Sequence, residues 1–142
     1  MIEIGTKIRS AYVTALEGII YSGNTVPIVD DKLETTSNVY MRLTTQNYTS
    51  TNTKSYFAGE CDVVIQIISV QKTAVSKAIV EDICNDVLTT LFPTRNTNGL
   101  TLDPSLKLSY ALLVNTTNAT AVQLADGLEI SKTVTVRNRV TQ

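Results

Sequence analysis

The chain has 142 residues, 43 % of them hydrophobic, enough for one domain with a real core. Charged residues make up only 18 % and the net charge is −1, with no lysine or arginine block, so a protein built to grip nucleic-acid phosphates is excluded as the leading reading. Polar surface comes instead from threonine and asparagine, as in "LTTQNYTSTNTKS", and such a surface loses less than a charged one when a partner covers it.

The first predicted element is a helix over residues 3–20. Ile4, Ile8, Tyr12, Ala15, Leu16 and Ile19 recur at three- and four-residue spacing and share one face. Gly18 and the "SGN" at 22–24 are read as its end, because glycine and asparagine tolerate the left-handed conformation that terminates helices. "TVPIVD" follows as a short strand, and Pro27, lacking an amide hydrogen, confines it to a sheet edge or a strand's first residues. In "NVYMRLTTQ", Val39, Met41 and Leu43 alternate with Tyr40, Arg42 and Thr44.

Residues 46–56, "QNYTSTNTKSY", read as a polar connector longer than a hairpin needs, an arm that orders against a partner. The next strand, 57–70, puts Cys61, Val63, Ile65 and Ile67 on one face. Its other face starts polar at Glu60 and Asp62 and turns apolar at Val64, Ile68 and Val70. Such a strand lies centrally or has its second face covered. A helix is predicted over 73–92 from Val75, Ile79, Ile83, Val87 and Leu91, with Thr73 as N-cap and Pro93 as stop. Two strands follow. "LKLSYALLV" shows Leu106, Leu108, Tyr110, Leu112 and Val114 on one face. "GLEISKTVTVRNRV" shows Leu128, Ile130, Val134, Val136 and Val140 against Glu129, Thr133, Thr135, Arg137 and Arg139. The order α-β-β-β-α-β-β predicts an α+β domain, an antiparallel sheet of about four to five strands with two helices packed on one face.

Catalytic chemistry has little to use. The chain has no histidine, the commonest general base and metal ligand. Cys61 and Cys84 fall on or beside apolar faces, where a free thiol acts as a small hydrophobe; a reactive thiol or a disulfide is the alternative. The two do not form a zinc pattern. Asp30, Asp31 and Glu34 lack the spacing and glycine of a calcium loop and read as a solvated turn rather than a cation site. Glu60 and Asp62 are expected to pair across strands with Arg42 rather than act as a carboxylate dyad. The six glycines match neither the dinucleotide nor the phosphate-loop fingerprint, so no cofactor or metal is expected. Asn47, Asn115 and Asn118 match the glycosylation pattern, read as chance in a chain whose start shows no secretory signal. No apolar run approaches the roughly 20 residues of a membrane span, and free thiols point to a reducing cytoplasm.

A helix, a strand "VPIVD", a strand of the "VYMRL" type, a polar arm, and a long strand "GECDVVIQIISV" leading into an amphipathic helix that ends "LTTLFP" together resemble the tail terminator (tail-completion, head–tail joining) proteins of bacteriophages. The resemblance covers nearly the whole chain as a pattern of elements. It implies a non-enzymatic virion protein of the tail or neck, assembled in the host cytoplasm. Such a protein forms a homo-oligomeric, hexameric ring that caps the tail tube and meets the head connector, with DNA only passing through the lumen. Residues expected at interfaces are Tyr48, Lys54, Tyr56 and Phe57 in or beside the connector, Arg95 after the second helix, and Arg137 and Arg139 on the last strand. That last strand is read either as an edge that pairs with a neighbour or as an ordinary member of the sheet. The alternative class is a stand-alone α+β ligand-binding or regulatory module, which requires a concave apolar pocket with converging polar groups. A tube or connector subunit is a third reading.

Overall fold

The computed structural model describes residues 4–29, 38–50, 58–72, 76–94, 97–125 and 127–142, and within these the side chains of 46–48 lie outside the description. The elements are α1 (Ile4–Leu16), β1 (Ile20–Tyr21), β2 (Asn24–Thr25), β3 (Ile28–Val29), β4 (Val39–Ser50), β5 (Ala58–Gln71), α2 (Ala78–Leu91), β6 (Lys107–Thr116), β7 (Thr120–Leu124) and β8 (Gly127–Thr141).

The main sheet runs β3-β4-β5-β8-β6, with β7 also on β8. Its pairs are antiparallel except β3 on β4, which is parallel, with Ile28 opposite Met41 and Val29 opposite Arg42. An all-antiparallel sheet was expected; alternation reports which face a residue takes, not the direction of its neighbour. β6 and β7 lie end to end along the same side of β8, covering Val134–Thr141 and Gly127–Ser131 respectively. Across the break between them the Thr117 amide donates to the Thr133 carbonyl at 2.9 Å, and the Thr133 amide donates to Thr117 Oγ1 at 3.0 Å. The six strands therefore occupy five lines.

Both helices share one face of this sheet. Ile4, Ile8, Tyr12 and Leu16 of α1 and Val80, Ile83, Val87 and Leu91 of α2 pack with Met41, Leu43, Val63, Ile65, Ile67, Val134 and Val136 in one core. Each such aliphatic side chain, fully withdrawn from water, contributes about 1.5–3 kcal/mol. A smaller cluster of Val29, Tyr40 and Ile68 covers one end of the opposite face.

Several boundaries differ from the periodicity. α1 stops at Leu16 rather than 20, and Ile19 reaches the core from a turn. Ser22 (φ 50°) and Gly23 (φ 80°) form the two-residue turn of the β1–β2 hairpin, not the end of a helix. β4 continues to Ser50 with an irregularity between Gln46 and Thr49, so strand covers the first part of the expected 46–56 connector. β5 begins at Ala58, and residues 51–57 lie outside the description.

α2 begins at Ala78, with Lys77 at its N-cap and no side-chain cap. Thr73, the expected cap, lies outside the described residues. The entry is held instead by Gln71. Its amide side chain accepts from the Ser76 amide at 2.8 Å and donates to the Ser76 carbonyl at 2.7 Å. β6 is bulged between Leu108 and Tyr110 and again between Leu113 and Asn115. Each bulge shifts the register by one residue and turns the following side chains to the other face. Leu108 thus meets Val140 on the helix side, while Tyr110 and Leu112 sit opposite Arg139 and Arg137 on the outer side. The single apolar face expected for this strand does not exist.

Candidate assembly surface

The reactive-looking groups are packed away. Cys61 and Cys84 are free thiols buried in the core on the helix side of the sheet. Burial pushes the Cys84 thiol above its ordinary pKa, against a smaller opposing effect of Lys132. That is the reverse of what a nucleophilic cysteine needs. Among the described residues no three histidine, cysteine or acidic side chains converge as metal ligands, and no helix is long and apolar enough to cross a membrane. Asp30, Asp31 and Glu34 lie outside the description.

The outer face of the sheet carries a charged ladder at one end. Arg137 grips Asp62 with two bonds, Nε to Oδ1 at 2.9 Å and Nη2 to Oδ2 at 3.2 Å. Arg139 Nη1 lies 3.8 Å from Glu60 Oε2, and Tyr110 donates its hydroxyl to Glu60 Oε1 at 2.9 Å. The hydrogen bonds it donates to Asp62 hold the Arg137 guanidinium above its usual pKa. The expected partner, Arg42, stands opposite Gln66 in the β4–β5 register, too far along the strand to meet these carboxylates. β8 is also no edge: β5 covers one side of it and β6 and β7 the other. Its arginines are committed to carboxylates of their own chain.

The other expected interface residues are not brought together by anything described. Tyr48 belongs to β4, its side chain outside the description, and Lys54, Tyr56, Phe57 and Arg95 are outside it altogether.

What the structure does present is an apolar edge. Leu112 is 55 % exposed, Leu113 46 %, Val114 48 %, Val122 55 % and Leu124 38 %, all on the β6–β7 line. Among the described residues only Ile20 joins them as an exposed large hydrophobic side chain. Beside the edge, Leu88, Phe92 and Pro93 from the end of α2 face Ala111, Leu112 and Leu113 across an open groove of about 620 Å³. Five exposed large apolar side chains gathered on one strand line, beside a groove, mark a candidate contact site rather than ordinary scatter. The sequence offered one signal for it: "ALLV" places four apolar residues in succession, which strict alternation cannot bury on one face.

No family model and no curated protein matches the chain. A solved structure does: a chain in the "Virion of native gene transfer agent (GTA) particle" is similar over 100 % of this chain and 100 % of its own length, with a TM-score of 0.72 and 15 % identity. The two share a fold.

Proposed function

We propose that this chain is a structural protein of a phage-like virion, a tail terminator whose ring caps the tail tube and joins it to the head connector. The observation that carries the reading is the full-length structural likeness to a chain of a virion particle, in a protein whose element order independently resembles that family. The exposed apolar line along β6 and β7 supports it, since a subunit made for assembly keeps apolar surface for its neighbours. So does the near-neutral charge: a conduit for DNA must not hold what passes through it. In this reading the work is mechanical and positional, with no bond made or broken.

Electron microscopy and native mass spectrometry of the purified protein, alone and mixed with tail tubes, test the proposal. Rings of uniform subunit number, or density capping tube ends, are the expected result. A protein that stays monomeric at every concentration and leaves tube ends bare overturns it.

A further inference from the structure

Among the described residues the sheet has an edge without a pairing strand at each of its two ends. Among the described residues the far side of β6 pairs with no strand, while β3 covers β4 only at Met41 and Arg42 and leaves 43–50 open. From these edges we infer that the β6–β7 edge of one copy adds to the β4 edge of a second copy of the same chain, joining subunits head to tail through one continuous sheet. The inference rests on the assembly reading above and specifies which surfaces meet.

Charge selects the occupant. The β6 segment "KLSYALLVNT" carries one charge, Lys107 at its start, and β7, "TAVQL", carries none. The open part of β4, "LTTQNYTS", is also uncharged. Charge is one of the guards natural edge strands carry against sheet addition, and neither edge has it over its middle. A phosphate backbone or a charged peptide finds no complement on either strip; a neutral strand does.

Dimensions agree as well. Pairing residues 43–50 of one copy with β6 of the next spans about 26 Å at ~3.3 Å per residue, and a strip ~10 Å deep on both faces covers on the order of 500 Å² per copy. That is most of the ~800 Å² per partner buried in a stable interface. Leu88 and Phe92 lie at the groove beside β6 to supply more. Because the two edges differ, the contact is heterologous, the kind that repeats into a ring. Pairing β6 with β6 closes a dimer and leaves both β4 edges bare.

Two chains, one carrying Thr45→Cys and the other Val114→Cys, are mixed and oxidised. Native Cys61 and Cys84, both buried, stay silent. The expected product is a mixed disulfide-linked pair, with no covalent dimer from either chain alone. Thr45→Lys and Val114→Lys, checked for folding by circular dichroism, should each weaken self-association at least about tenfold, whereas Thr14→Lys, at an exposed position of α1, should not. Self-linked Val114→Cys dimers, or assembly untouched by both lysine variants with no mixed product, overturn this contact. The terminator reading survives that outcome if rings still cap tail tubes. A chain that neither self-associates nor binds tubes overturns both.

Discussion

Tyr12 and Asn138 lie 126 residues apart in the chain and meet in the core, the tyrosine hydroxyl donating to Asn138 Oδ1 at 2.7 Å. Asn138 in turn donates its Nδ2 to the carbonyls of Val136 at 3.2 Å and Cys61 at 3.4 Å. An asparagine on the helix-facing side of a central strand is costly unless every polar atom is met. Here the network does so and fixes α1 over β8. Burial drives the Tyr12 hydroxyl well above the ordinary tyrosine pKa, so it remains a donor at all working pH values. Tyr12→Phe leaves a buried acceptor without a donor and should cost about 1–3 kcal/mol in urea unfolding. A change well below 0.5 kcal/mol would show the bond to be incidental.

The second helix is tied to the same strand by charge. Lys132 is almost wholly buried on the core side and reaches Glu81 of α2 at 2.8 Å, where the carboxylate is 44 % exposed. Glu81→Gln strips the partner from a buried cation, whereas Lys132→Met removes the charge and keeps the stem's packing. The second should be better tolerated than the first, because a pair near the surface contributes little while an unmatched buried charge costs more. Thermal unfolding of both variants checks the order; the reverse order refutes it.

Both thiols should behave as core atoms. In native conditions an aromatic disulfide reagent should label neither Cys61 nor Cys84, and both should react on unfolding, since the thiolate is the reactive form and burial suppresses it. Cys61→Ala and Cys84→Ala should each lose roughly 1 kcal/mol and keep the oligomeric state. Rapid labelling of the folded protein by either residue contradicts the packing described.

Asp103 gives a pH signature. Its carboxylate accepts from the Ser105 hydroxyl at 2.6 Å and the Ser105 amide at 3.0 Å, and Lys7 of α1 lies 3.1 Å away. The serine contacts first, then the lysine, lower its pKa from 3.8 to about 2. A depressed carboxylate stabilises the fold above its unfolded value and loses that contribution as pH falls through the folded value. The effect therefore lies between about pH 4 and pH 2. Carbon-detected NMR should show this carboxyl titrating near the bottom of that window, and Asp103→Asn should flatten the acid limb of the stability curve slightly.

Gly127 opens β8 at φ 153°, and a Cβ there would stand 2.4 Å from the Gln71 carbonyl oxygen. Gln71 is the residue whose side chain holds Ser76 at the entry to α2. Gly127→Ala should destabilise the protein by on the order of 1–3 kcal/mol through strain and displacement of that carbonyl. Denaturant midpoints measure it, and a neutral result rules the close approach out.

Periodicity made the buried faces legible. Cys61, Val63, Ile65 and Ile67 on β5, Ile130, Val134, Val136 and Val140 on β8, and the Ile83–Val87–Leu91 stripe of α2 all enter the core as their spacing dictates. Partnership was less legible. Nothing in the alternation of β8 says that it has strands on both sides, and nothing in Arg137 says that it meets Asp62 rather than a neighbour's acid. Register decides both, and register is a long-range property. β7 was invisible because "TAVQL", exposed at all five residues, has no buried face to set a period. The apolar edge was hidden by the β6 bulges, which convert an apparent core face into exposed Leu112 and Val114.

The place of β8 also sets an order of events during synthesis. The strand that receives α1 through Asn138, α2 through Lys132, and β5, β6 and β7 on its two sides spans Gly127–Thr141. At 5–20 residues per second, α1 leaves the ribosome on the order of ten seconds before the strand it docks upon. In that interval β5 lacks β8, the strand that pairs with it along its whole length from Ala58 to Gln71. A chain arrested on the ribosome at Ser131 should therefore be protease-sensitive, whereas the full sequence, arrested on an added C-terminal linker long enough to clear the exit tunnel, should not.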